Sequence, residues 1–163
     1  MNAKSTLLCN FAVVLVAIGG CSNEKVSIDK KYYSDQNYKA LQTITENFDI
    51  ELSNQKTLLL VIRDTECFPC LQELQYWNSE AELSKKWNTQ LFIVSKYTTS
   101  AFYFLERENI TLPPNIDTAY SFMRNDVVPQ LPIKVLVENN EILKMEPMGS
   151  GSNLPIFIEL MKK

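Results

Sequence analysis

The feature that most constrains the fold is a junction. Thr57-Leu58-Leu59-Leu60-Val61-Ile62 is an unbroken apolar run; Arg63-Asp64-Thr65-Glu66 ends it, and Cys67-Phe68-Pro69-Cys70 follows at once. An apolar run of strand length without alternation is the pattern of a central strand buried on both faces. From Phe68 to about Trp87, Leu71, Leu74, Trp77 and Ala81 fall at helical spacing and glycine is absent, which predicts a helix. The C-x-x-C therefore lies where a buried strand hands over to a helix.

That position has a chemical consequence. The unpaired N–H groups and positive dipole end of a helix N-terminus stabilise a thiolate, the attacking species in disulfide exchange. Cys67 is read as the nucleophile, and Cys70, one turn further in, as the resolving thiol. Pro69 in the first turn forfeits no helix hydrogen bond and stiffens the loop between the sulfurs.

The chain has four cysteines, and two of them have other expected fates. Residues 1–20 read as a signal peptide: Lys4 supplies a positive charge, Leu7 to Ala17 an apolar stretch, and Gly19 and Gly20 small residues before Cys21. The apolar stretch is shorter than the roughly 20 residues a spanning helix needs. Ile18-Gly19-Gly20-Cys21 resembles a bacterial lipobox, which implies lipidation at Cys21 and loss of Cys9 with the leader. Two or three acyl chains hold a protein stably on a membrane, whereas one does so marginally. Residues 21–33 are then the lipidated cysteine and a polar tether, and residues 34–163 the folded domain, placed in the cell envelope facing the periplasm or exterior.

Cys67 and Cys70 are left as each other's partners. So short a loop gains little from closure, which favours an exchangeable bond over a structural one. A zinc site is disfavoured, because one C-x-x-C supplies two ligands and there is no histidine in the chain. The absence of histidine also excludes Ser-His-Asp and Cys-His catalysis and histidine-bound metal or haem. Lys and Arg number 16 against 19 Asp and Glu, for a formal net charge of −3. Loss of Lys4 makes that more negative, against a nucleic-acid surface. No Gly-rich phosphate loop appears, and the reading calls for no cofactor and no metal.

Further elements follow from periodicity. A helix is predicted over 34–47 with Ser34 as N-cap, a second buried strand over 91–95, a helix over 100–108 and a short one over 120–125. Pro113-Pro114 is read as a break. Strands over 133–137 and 142–145 flank Glu138-Asn139-Asn140-Glu141, where Asn-Asn suits a tight hairpin turn, and a helix over 154–163 closes the chain. Trp77, Trp87, Tyr97, Phe102 and Phe104 are expected to be core and helix-packing residues. The fold class is α/β: a mixed central sheet between helices, with a C-terminal β-hairpin and closing helix.

Cys67-Phe68-Pro69-Cys70-Leu71-Gln72-Glu73 matches the C-x-P-C-x-x-E pattern of the TlpA-like membrane-tethered thioredoxins, and Val128-Pro129-Gln130-Leu131-Pro132 resembles their stretch ending in a cis-proline. The resemblance covers about residues 50–163 and implies a thioredoxin-like fold and thiol-disulfide oxidoreductase activity. It implies that Pro132 is the cis-proline, with Pro129 the rival, and that Leu131, Pro132, Phe68 and Pro69 meet a client chain. It also implies that Glu73, one turn beyond Cys70, exchanges a proton with that thiol; spacing alone reads Glu73 as an exposed helix residue. Glu66 replaces the usual aromatic before the first cysteine, which makes the rim of the site more acidic.

With no basic residue between the cysteines to stabilise the thiolate, the reading is of a reductant of disulfide-bearing client proteins, recharged by a membrane electron donor. The alternatives left open are a redox-inert binding or structural module and a disulfide oxidase or isomerase.

Overall fold

The structure is a computed structural model and describes residues 35–52, 56–65, 68–83, 88–124, 127–149 and 154–162. The signal peptide, Cys21, the tether, Ser34, Glu66, Cys67 and Trp87 lie outside the described residues. Ten elements follow in order: α1 (Asp35–Glu46), β1 (Thr57–Arg63), α2 (Phe68–Leu83), β2 (Asn88–Val94), α3 (Thr98–Arg107), β3 (Pro114–Asp117), α4 (Ser121–Arg124), β4 (Ile133–Glu138), β5 (Glu141–Pro147) and α5 (Leu154–Lys162).

The sheet has five strands in the order β3-β2-β1-β4-β5. β1 pairs parallel with β2 and antiparallel with β4, so the sheet is mixed. The central place of β1 explains its composition: Thr57 to Ile62 are all buried, because both faces are covered by helices.

Alternation along the strands divides the interior in two. Leu59 and Val61 face a layer built with Tyr38, Leu41 and Ile44 of α1 and Phe122 of α4. Leu58, Leu60 and Ile62 face Leu74 and Trp77 of α2, Phe104 of α3, and Phe157 and Met161 of α5. The first layer includes an aromatic stack in which Phe92 meets Phe48 at 5.3 Å and Phe122 at 5.0 Å, both edge-to-face.

The hairpin forms where the two asparagines predict it. Glu138 pairs with Glu141, and Asn139 and Asn140 take φ of 52° and 63°, left-handed values that asparagine tolerates. Tyr38 of α1 donates its hydroxyl to Asn140 Oδ1 at 3.0 Å, tying the turn to the first helix.

Two expectations are corrected. The segment read as a break at Pro113-Pro114 contains β3, which pairs parallel with β2 in the register Leu91 to Pro114. Pro114 is the first residue of an edge strand, where a missing N–H costs no ladder bond. Tyr97 and Phe102, expected in the core, are 57% and 53% exposed, whereas Trp77 and Phe104 are buried. Phe102 lies on the outer side of α3, one residue from the buried Ala101.

Candidate active site

The N-terminus of α2 carries the described part of the C-x-x-C. Phe68 is the first residue of the helix and is 71% exposed, Pro69 is also exposed, and Cys70 is buried. Cys70 is disulfide-bonded. The helix begins here because β1 runs out at Arg63 and because Pro69, with its fixed φ and no N–H, suits a first turn.

The Met148–Gly149 segment reaches Cys70, and Pro132 pairs with that segment. The Leu131–Pro132 peptide bond is cis, whereas the Val128–Pro129 bond of the rival proline is not. The Pro132 carbonyl accepts the N–H of Met148 at 3.1 Å, continuing the β4–β5 pairing by one residue. The Met148 carbonyl oxygen in turn lies 4.0 Å from Cys70 Sγ. Gly149 follows with φ +82°, and a Cβ there would stand 3.1 Å from Cys70 Sγ and 3.2 Å from the Cys70 nitrogen. Glycine at 149 thus meets two demands, a left-handed backbone and contact with the sulfur. Leu131 and Pro132 are half-buried.

Glu73 is buried rather than exposed on the helix. Its Oε2 accepts the Gly149 N–H at 2.6 Å. Its Oε1 accepts the Trp77 indole N–H at 3.3 Å and is 2.6 Å from Lys134 Nζ. Lys134 is itself 0% exposed. Beyond Glu73, its ammonium donates to the Pro147 carbonyl at 3.3 Å and stands 4.9 Å from the centre of the Phe157 ring.

Lys134 is a site residue that sequence reasoning missed. Ile133-Lys134-Val135-Leu136-Val137 reads as a buried strand with one polar interruption, and lysine commonly keeps its head in water. The available signal was the strand's continuous apolar character. On a strand covered on both faces a lone lysine has no outward side, so it needs an internal carboxylate.

No protein-family model matches the chain, and no curated protein does either. Solved structures do match. A candidate thiol:disulfide interchange protein DsbE from Chlorobium tepidum superposes with a TM-score of 0.57 at 16% identity, covering 68% of this chain and 81% of that one. The thioredoxin domain of a thiol-disulfide oxidoreductase from Bacteroides vulgatus gives 0.55 at 14% identity, covering 69% and 82%. StoA from Bacillus subtilis gives 0.51 at 20% identity, covering 68% and 84%. The fold is thioredoxin-like. In this thioredoxin-like frame the start of α2 meets the Met148–Gly149 segment at Cys70, and that segment pairs with Pro132. Among the described residues no helix is long and apolar enough to cross a membrane.

Proposed function

We propose that the chain is an exported, lipid-anchored thiol-disulfide oxidoreductase that reduces disulfides of client proteins. Cys67 attacks and Cys70 resolves. In the reducing direction the Cys67 thiolate attacks a client disulfide, forming a mixed disulfide and releasing one client sulfur as a thiolate. Cys70 then attacks Cys67, which closes the Cys67–Cys70 bond and frees the second client sulfur. The client gains two electrons and two protons, and the dithiol loses them.

The observation that carries this reading is the setting of Cys70. It is a disulfide-bonded cysteine in the first turn of the helix after the central strand, packed under Met148 and Gly149. The structural relatives named above as thiol-disulfide oxidoreductases agree with it. Phe68, at 71% exposure, is available to a client chain, and Leu131 and Pro132 are proposed as further docking residues. Acyl chains on Cys21 tether the domain through residues 21–33 to a membrane of the cell envelope, and a membrane dithiol donor restores the reduced state.

Insulin reduction with dithiothreitol tests the assignment. Wild-type protein is expected to accelerate precipitation, and Cys67→Ser to abolish the acceleration. Activity that survives Cys67→Ser would contradict it.

A further inference from the structure

We propose that Lys134 is a positioning residue for the dithiol: its ammonium pairs with the Glu73 carboxylate, and the two opposed charges together set how readily the reduced thiols ionise. The inference rests on the thiol-disulfide reading above. It begins from a cost. A lysine and a glutamate buried together are expensive to desolvate, and hydrophobic replacements are often no less stable. Such a pair calls for a reason beyond packing.

Its hydrogen bonding shows what form it takes. Glu73 meets three donors: the Lys134 ammonium, the Trp77 indole N–H and the Gly149 amide. A carboxylate has acceptor sites for all three, whereas a protonated carboxyl would turn a hydrogen toward one of them. The Lys134 head is likewise occupied, by Glu73, the Pro147 carbonyl and the face of Phe157.

The pair also ties together the segments around the sulfur. Glu73 lies one turn past Cys70 on α2, Lys134 lies two residues past Pro132, and Gly149 touches both the Glu73 carboxylate and Cys70. A cation near the dithiol favours thiolate and an anion disfavours it, so Lys134 and Glu73 pull in opposite directions.

Other charges face the pair. Glu146 is directly across the ladder from Lys134, hence on the same sheet face, but its ion pair is with Lys144 at 2.7 Å. Glu146 Oε2 is buried without a hydrogen-bond partner. From β1 the facing residue is Leu60, and the buried residues of α5 are Phe157 and Met161, so these elements add no charge.

When a dithiol reductant opens the Cys67–Cys70 bond, its thiolate bonds to one sulfur and the other leaves with the electron pair. The second reductant thiol then completes the new disulfide. The reductant loses two electrons and two protons, which the cysteines take up, the protons passing through solvent.

The test is the pH dependence of iodoacetamide alkylation of the reduced full-length protein, read by mass spectrometry on the peptide carrying Cys67 and Cys70. At pH 7, Lys134→Met is expected to lower the alkylation rate about tenfold, the effect of one pKa unit in the thiol. Glu73→Gln is expected to raise it by about as much, and the double variant to return to within about threefold of wild type. Single variants that shift the same way, as lost packing alone would cause, or that do not shift, would overturn the proposal. If Lys134→Met does not fold, Glu73→Gln decides: a raised rate supports the proposal, and an unchanged or lowered rate overturns it. Alkylation needs no client. A protein inactive on insulin that keeps this pattern of signs would refute the proposed function alone, and an active one without it would refute this inference alone.

Discussion

The two faces of the sheet each carry a buried apolar cluster but differ in what else they bury. The face under α1 and α4 is filled with Leu41, Ile44, Leu59, Val61, Phe92 and Phe122. The face under α2, α3 and α5 holds an apolar cluster of similar character around Trp77, Phe104 and Phe157. Only within that second layer, near the start of α2, do the described residues place a lysine and a glutamate together at 2.6 Å, close to a bonded cysteine. One face is a floor held by hydrophobic burial. The other gives up some of that stability to a buried charge pair one turn from a bonded cysteine.

The contrast can be broken by substitutions on each side. Lys134→Met leaves a buried carboxylate without its counter-ion and should cost about 3–5 kcal/mol, measured by urea unfolding. Phe92→Ala opens a cavity between Phe48 and Phe122 and should cost a similar amount, about 3–5 kcal/mol. The two should differ in chemistry, because only the first should move the alkylation profile. If Phe92→Ala moves it as far, the faces are not independent.

A smaller effect is expected at Gly149, beside the start of α2. Gly149→Ala forces a side chain into a left-handed backbone and against Cys70 Sγ. It should cost about 1–3 kcal/mol in the same unfolding experiment. The loss should shrink when the disulfide at Cys70 is reduced and the helix start can yield. An equal loss in both redox states would show that the contact with the sulfur does not matter.

The smallest effect concerns alkaline pH. Burial, helped by Glu46, raises the Tyr38 hydroxyl above its ordinary value of 10.0, and burial and Glu80 do the same to Tyr76. The folded state therefore favours the neutral phenols. Their contribution to stability is full below pH 10 and is lost as pH rises from there through the raised folded values. Tyr38→Phe should flatten part of that decline in denaturation curves taken between pH 9 and 11. A decline of unchanged steepness would remove Tyr38 from the account.

Much of the frame was legible because burial leaves a mark in the sequence. The run Thr57 to Ile62 has no polar interruption, so a two-sided strand was readable, and Asn139-Asn140 announced its turn. β3 was hidden, because Pro114 signals a break locally and becomes part of a strand only when β2 supplies the pairing. Glu73 was marked as a candidate by the C-x-P-C-x-x-E resemblance, whereas its spacing alone reads as an exposed helix residue and gives no sign of its burial. Burial at that position depends on Lys134, which is 61 residues away in the chain and adjacent only once β4 docks beside β1. Tyr97 and Phe102 failed in the opposite direction: aromatic character alone does not say which side of a helix faces the sheet.

The most direct test of the whole account is the redox equilibrium of the Cys67–Cys70 pair in glutathione buffers. The account predicts a reversible two-electron transition with a potential more negative than roughly −150 mV, in the range of reductants and isomerases. A bond that does not exchange with glutathione, or a potential at or above that value, would contradict it.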